Sequence, residues 1–135
     1  MASVVKETVI EARPEDVWAV IGDFAGGPPR IAPGYVVGTR LVADDVRVVT
    51  FADGLVARER LIALDHAARR IVWAVIGDTV RPVHDNASFQ VVAEGDTRTR
   101  LVWIHDVLPD ELAQPFARAM CGGLAVIRET LSAPG

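Results

Sequence analysis

Apolar and polar positions alternate through most of this chain, and the alternation gives way in two places. Between Tyr35 and Val107 the period is two. Tyr35–Val42, Val46–Phe51, Leu55–Asp65, Arg70–Ile76, Val83–Ala93 and Thr97–Val107 each read as a strand. The turns between them carry Asp44-Asp45, Asp53-Gly54 and Gly95-Asp96, residue types that accept tight-turn backbone. Val4–Glu11 adds a seventh strand, with Val5 and Val9 set against polar Lys6 and Thr8. At Ala12 the period changes. Pro14 suits the first position of a helix, Glu15 and Asp16 follow where the helix dipole favours acids, and Val17, Trp18 and Ile21 share one side before Gly22 ends the run. Phe24–Ile31, broken by Gly26-Gly27-Pro28-Pro29, reads as an irregular turn or a weak helix.

The second break is Pro109–Ser132, the longest helical pattern in the chain. Leu112, Phe116, Met120, Gly123, Ile127 and Leu131 recur at steps of three and four and form one stripe. Pro115 is tolerated only in a first turn, so the main helix is expected to begin near Gln114, after a short turn from Pro109. Gly122-Gly123 then falls in mid-helix, where each glycine costs ~1 kcal/mol relative to alanine. Two readings account for that cost: close packing against a sheet, or missing side chains that leave room for a ligand.

A long antiparallel sheet must bury one face, and only Pro109–Ser132 is long enough to cover it. The pattern therefore predicts a single α+β domain over residues 1–135, ordered strand, two short helical segments, six strands, long helix. At 50% hydrophobic residues the chain can bury one sizeable core. Its net charge of −4, with both signs interspersed, argues against nucleic acid as a partner. No apolar run approaches the ~20 residues of a membrane span, so no membrane insertion is expected. The first residues, MASVVKETVIEA, carry charges within their apolar run and have no signal-peptide core, which makes the cytoplasm the expected location. Cys121 is the one cysteine, which excludes an intrachain disulfide and a multi-cysteine metal site.

Strand parity then decides which side chains face the core. In Val83–Ala93 the set Ala87, Phe89 and Val91 points inward and carries Asp85 with it, leaving His84, Asn86, Ser88 and Gln90 outside. In Thr97–Val107 the inward set is Leu101, Trp103, His105 and Val107. In Leu55–Asp65 it is Leu55, Ala57, Glu59, Leu61 and Ala63, with Arg58 and Arg60 outside, and in Arg70–Ile76 it is Ile71, Trp73 and Val75. Three ionisable groups thus stand on an apolar face: Glu59, Asp85 and His105. A hairpin turning over Gly95-Asp96-Thr97 sets Ala87 opposite His105 and Val107 opposite Asp85, so Asp85 and His105 become diagonal neighbours. Such a carboxylate orients one imidazole nitrogen, which suits acid–base work on a bound ligand and suits a plain buried polar pair equally. The pairs His84-Asp85 and His105-Asp106 cannot converge on one ion, because strand neighbours point to opposite faces; no metal site and no cofactor are expected. His66 sits in the turn Asp65-His66-Ala67 and is expected to be solvated, and Cys121 reads as a small packing residue.

The order of elements, with ARPEDVWAVIGDF near the start, ERLIALD in the middle and GDTRTRLVW near the end, resembles the START/birch-pollen-allergen (SRPBCC) superfamily, and within it the polyketide cyclase/dehydrase-like branch. More distantly it resembles the plant abscisic acid receptors. The resemblance implies a helix-grip fold: a curved seven-stranded antiparallel sheet wrapped around the long C-terminal helix, with a cavity between them. It also implies that Glu59, in ERLIALD, matches a pocket glutamate of those receptors that holds a ligand through water; an ion pair with an inward-reaching arginine is the competing reading for this residue. One segment departs from the pattern, since GGPPRIAPGY lacks the tryptophan usual after the second short helix.

On this reading the cavity takes a small hydrophobic or aromatic metabolite, lined by Glu59, Trp73, Phe89, Trp103, Phe116, Met120, Gly123 and Ile127. An alternative is a cyclase- or dehydratase-type enzyme, a lyase or isomerase, with His105 and Asp85 as catalytic acid and base. A third is a homodimeric interaction domain that uses the outward apolar residues Ile62, Val102 and Ile104.

Overall fold

The structure, a computed structural model, describes residues 1–132. Strand β1 (Ala2–Ile10) leads into helix α1 (Pro14–Ile21) and a five-residue helix α2 (Gly27–Ile31). Six strands follow: β2 (Val36–Ala43), β3 (Val46–Phe51), β4 (Val56–Asp65), β5 (Arg70–Asp78), β6 (His84–Ala93) and β7 (Thr99–Leu108). A single 3-10 turn, Asp110–Leu112, precedes helix α3 (Ala113–Leu131). Pro14 opens α1 and Gly22 caps it, as its sequence predicts. The turn before α3 and the position of Pro115 in its first turn also follow the expectation.

All seven strands form one antiparallel sheet in the order β1-β7-β6-β5-β4-β3-β2. Register shifts interrupt the β2–β3 and β4–β5 ladders, and such irregularities bend a sheet. The curved sheet closes on α3, whose buried side is Met120, Gly123, Leu124 and Ile127. This is the helix-grip arrangement. The core is continuous from Ile10, Val17 and Ile21 through Ile71, Trp73 and Phe89 to Leu101, Leu124 and Ile127.

Parity holds in the strands that matter most. Ala87 pairs with His105, Asp85 with Val107 and Phe89 with Trp103 across β6–β7. Asp85, Ala87, Phe89 and Val91 are buried, while His84 is exposed. In β1 the inward residues are Val4 and Ile10, while Val5 is 56% exposed. His66 is exposed, as its turn position predicts, and its Nδ1 also accepts a hydrogen bond of 3.2 Å from Trp18 Nε1, which ties the β4–β5 turn to α1. One expectation needs correction. Cys121 is exposed on α3 rather than packed. No helix among the described residues is long and apolar enough to cross a membrane.

Candidate functional site

The inner face of the sheet, α3 and the α1–α2 corner border a cavity of about 70 Å³. Ile71, Trp73 and Phe89 form its sheet wall with Trp103; Gly123 and Ile127 come from α3; Ile21, Pro28 and Ile31 close the corner. Trp73, Phe89 and Trp103 stack in series, with centroids 5.1 Å and 4.8 Å apart and rings tilted by 45° and 44°. These rings fill much of the space that bare strand spacing would leave, so the volume left is small.

Two charged residues reach the cavity, Arg47 and Glu59. They stand directly opposite each other in the β3–β4 register. Arg47 Nε donates to Glu59 Oε1 at 2.8 Å, and both side chains are buried. Arg47 Nη1 also donates to the Phe24 carbonyl at 3.0 Å, and its guanidinium lies over the Phe24 ring at 4.4 Å. Removing both ions from water is costly, and this density of partners offsets it. The pair fastens the α1–α2 corner to the sheet. The arginine partner of Glu59 is therefore Arg47, the inward-reaching arginine that the competing reading required.

Two of the wall residues also carry donors without acceptors, shut away from the cavity space itself. Among the described residues, the indole Nε1 atoms of Trp73 and Trp103 are buried and have no hydrogen-bond partner. Leaving a buried N–H unpaired costs ~1–3 kcal/mol, and native structures rarely do so.

Asp85 and His105 meet as the β6–β7 register predicts. Asp85 Oδ1 lies 2.7 Å from His105 Nδ1, and Oδ2 accepts the Val75 backbone N–H at 2.9 Å. The carboxylate thus fixes the imidazole and bridges β5 to β7. His105 packs edge-on to Phe116, at 5.0 Å between centroids, and against Trp73 and Trp103. It is 6% exposed.

The cavity takes in Glu59, Trp73, Phe89, Trp103, Gly123 and Ile127. It does not take in Phe116, Met120, His105 or Asp85. The reason is that the apolar stripe of α3 is longer than the cavity. Near Gly123 the helix leaves space; one and two turns earlier Met120 is fully buried in packed side chains and Phe116 is pressed against His105. Gly123 itself is closely packed: a Cβ there would lie 3.1 Å from Trp103 Cζ3 and 3.3 Å from Cη2. A Cβ on Gly122 would meet only Tyr35, at 3.5 Å.

Arg47, Tyr35 and Phe51 are wall residues that the inward sets above omit. Arg47 shares a face with Val49 and Phe51, so parity was a usable signal. It was masked because Val46 and Val48 on the other face are also buried. Among the described residues, no cluster of three or more histidine, cysteine or acidic groups is placed to hold a metal ion.

The family described as polyketide cyclase / dehydrase and lipid transport matches residues 1–132. No curated protein sequence matches the chain. Among solved structures, the protein XoxI from Bacillus cereus superposes with a TM-score of 0.87 at 22% identity, covering 97% of this chain and 96% of that one. A START superfamily protein from Mycobacterium smegmatis gives 0.72 at 18% identity, covering 96% and 99%. Major latex-like protein 151 from Panax ginseng gives 0.78 at 16% identity, covering 96% and 93%. At these identities the likeness is one of fold.

Proposed function

Because this chain belongs to the polyketide cyclase/dehydrase and lipid-transport family, we propose that it is a binding protein for a small hydrophobic or aromatic metabolite held between the sheet and α3. The observation that carries this reading is the apolar, aromatic wall that Trp73, Phe89 and Trp103 present to the cavity opposite Gly123 and Ile127. The rings of such a ligand take the place of water against Phe89 and Ile127. Arg47 and Glu59 neutralise each other, so the wall carries no net charge and favours an uncharged ligand.

The acid–base alternative rests on His105 and Asp85. Their mutual distance suits it, but His105 stands off the cavity lining, between Phe116 and the two indoles. The ring packing favours a role in fixing the wall, and the binding reading is the better supported.

Indole amide resonances in a proton–nitrogen spectrum test the proposal directly. Titration with neutral aromatic compounds is expected to shift the Trp73 and Trp103 signals, whose rings line the cavity, and leave Trp18, already bonded to His66, in place. If no aromatic compound shifts either signal, and native mass spectrometry of gently purified protein shows no bound small molecule, the binding reading is wrong.

A further inference from the structure

Two hollows meet at one pair of side chains. The inner cavity, about 70 Å³, is described above. A second hollow of about 240 Å³ lies outside it, between the β3–β4 hairpin (Ala52, Asp53 and Leu55) and Ala119 of α3. Tyr35 and Phe51 line both. Their rings meet edge to face, with centroids 5.9 Å apart and planes at 85°, and form the partition. Neither hollow alone reaches the ~300 Å³ at which ligand pockets begin, whereas the two joined do.

The partition is held lightly. The Tyr35 backbone is fixed at both ends: its N–H donates to the Ala32 carbonyl at 3.1 Å and its carbonyl accepts from Ala52 at 3.0 Å. The side chain has a single hydrogen bond, from its hydroxyl to the Ala119 carbonyl at 2.8 Å. That carbonyl lies inside α3, where the Gly123 N–H is its regular partner, so releasing the hydroxyl orphans nothing on the helix. Gly122 presents bare backbone to the tyrosine ring, where a Cβ would lie 3.5 Å from Tyr35 Cε2.

Building on the binding reading, we propose that the ligand spans both hollows: an elongated, uncharged aromatic molecule admitted by rotation of Tyr35. One ring system lies against Trp73, Phe89 and Trp103, and the extension passes Phe51 to lie between Ala119 and the hairpin. Asp53 at the outer hollow disfavours an anionic tail there.

Two probes of different length separate this inference from the reading beneath it. Xenon fits the inner cavity alone; N-phenyl-1-naphthylamine requires both hollows. Ala119→Trp fills the outer hollow from an exposed helix position, and Leu55→Trp fills it from the hairpin side should the first variant fold poorly. Expected results are fluorescence-detected binding of the naphthylamine to the wild type, weakened at least tenfold in either variant, with xenon-induced shifts of the Ile71 and Ile127 methyl signals unchanged. Tyr35→Phe is expected to speed naphthylamine association about fivefold, the worth of one ordinary hydrogen bond. Naphthylamine binding and association rates that match the wild type in all folded variants overturn the two-hollow inference and leave the binding reading standing. A wild type that binds xenon but no naphthylamine overturns the two-hollow site; binding of neither probe overturns both.

Discussion

Arg47 and Glu59 face each other across the β3–β4 ladder, buried, with Nε 2.8 Å from Oε1. One partner cannot be removed without stranding the other in a low-dielectric wall. Glu59→Gln or Arg47→Met alone is therefore expected to lower stability by ~3–5 kcal/mol in urea titrations. The double variant Arg47→Met, Glu59→Leu is expected to recover a large part of that loss, because no charge is then left unpaired. Equal losses in the single and double variants would show that the ionic contact is incidental.

Asp85 accepts from two elements at once, the Val75 N–H of β5 and, on its other oxygen, the His105 ring of β7. Asp85→Ala leaves both without a partner, at a cost of ~1–3 kcal/mol each. The variant should melt several degrees lower, and His105→Ala likewise, yet both should still bind a neutral aromatic probe. Abolished binding in a folded His105→Ala protein would move the imidazole from support of the wall to contact with the ligand.

Gly122 and Gly123 are neighbours with opposite expectations. At Gly122 an added Cβ finds ordinary contact with Tyr35 at 3.5 Å, so Gly122→Ala should gain the helix preference of ~1 kcal/mol and raise the melting temperature. At Gly123 a Cβ already presses on Trp103 at 3.1 Å, and Gly123→Leu overpacks the core, with an expected loss of ~1–3 kcal/mol beyond any helix gain. A Gly123→Leu protein as stable as the wild type would mean that the indole can step back into the cavity.

Tyr35 is the one tyrosine of the chain, so tyrosinate absorbance reports on it alone. Burial, with the Asp53 carboxylate adding to it, pushes its hydroxyl above the usual value of ~10. The folded protein then holds this proton more tightly than the unfolded chain does. The associated stability is intact below ~pH 10 and is lost as the pH rises through the raised folded value. Tyr35→Phe should flatten stability against pH across that alkaline window. An identical alkaline slope in the variant would assign the loss to other groups.

The order of elements was legible from periodicity, and the family resemblance implied its helix-grip arrangement; the meeting of Asp85 with His105 was legible because the Gly95 turn fixes a hairpin register, and register fixes every pair above it. Arg47 was hidden because β3 is apolar on both faces, so alternation gave its charge no side. In β1 the doubled apolar residues Val4-Val5 and Val9-Ile10 fit either parity, so alternation gave that strand no inward face. The size of the cavity was illegible for a different reason. It depends on how far Trp73, Phe89 and Trp103 lean into the space, and on where along α3 the packing gives out. Phe116 and Met120 lie on the right stripe but at its filled end, and spacing cannot distinguish a lined hollow from a packed one.

The outermost pairing of the sheet has a consequence for how the molecule is made. β1 lies beside β7, with Ala2 matched to Val107 and Ile10 to Thr99, whereas every other ladder joins consecutive strands. On the ribosome the first strand emerges with nothing to pair with until the seventh has been synthesised, while the hairpins from β2 to β7 zip up locally in turn. Closure of the N-terminal edge is the slow, high-contact-order event, and it comes after the meander is in place. Until then Val4 and Ile10 stay uncovered, and the growing meander ends on a free strand edge that each new hairpin passes on to the next strand.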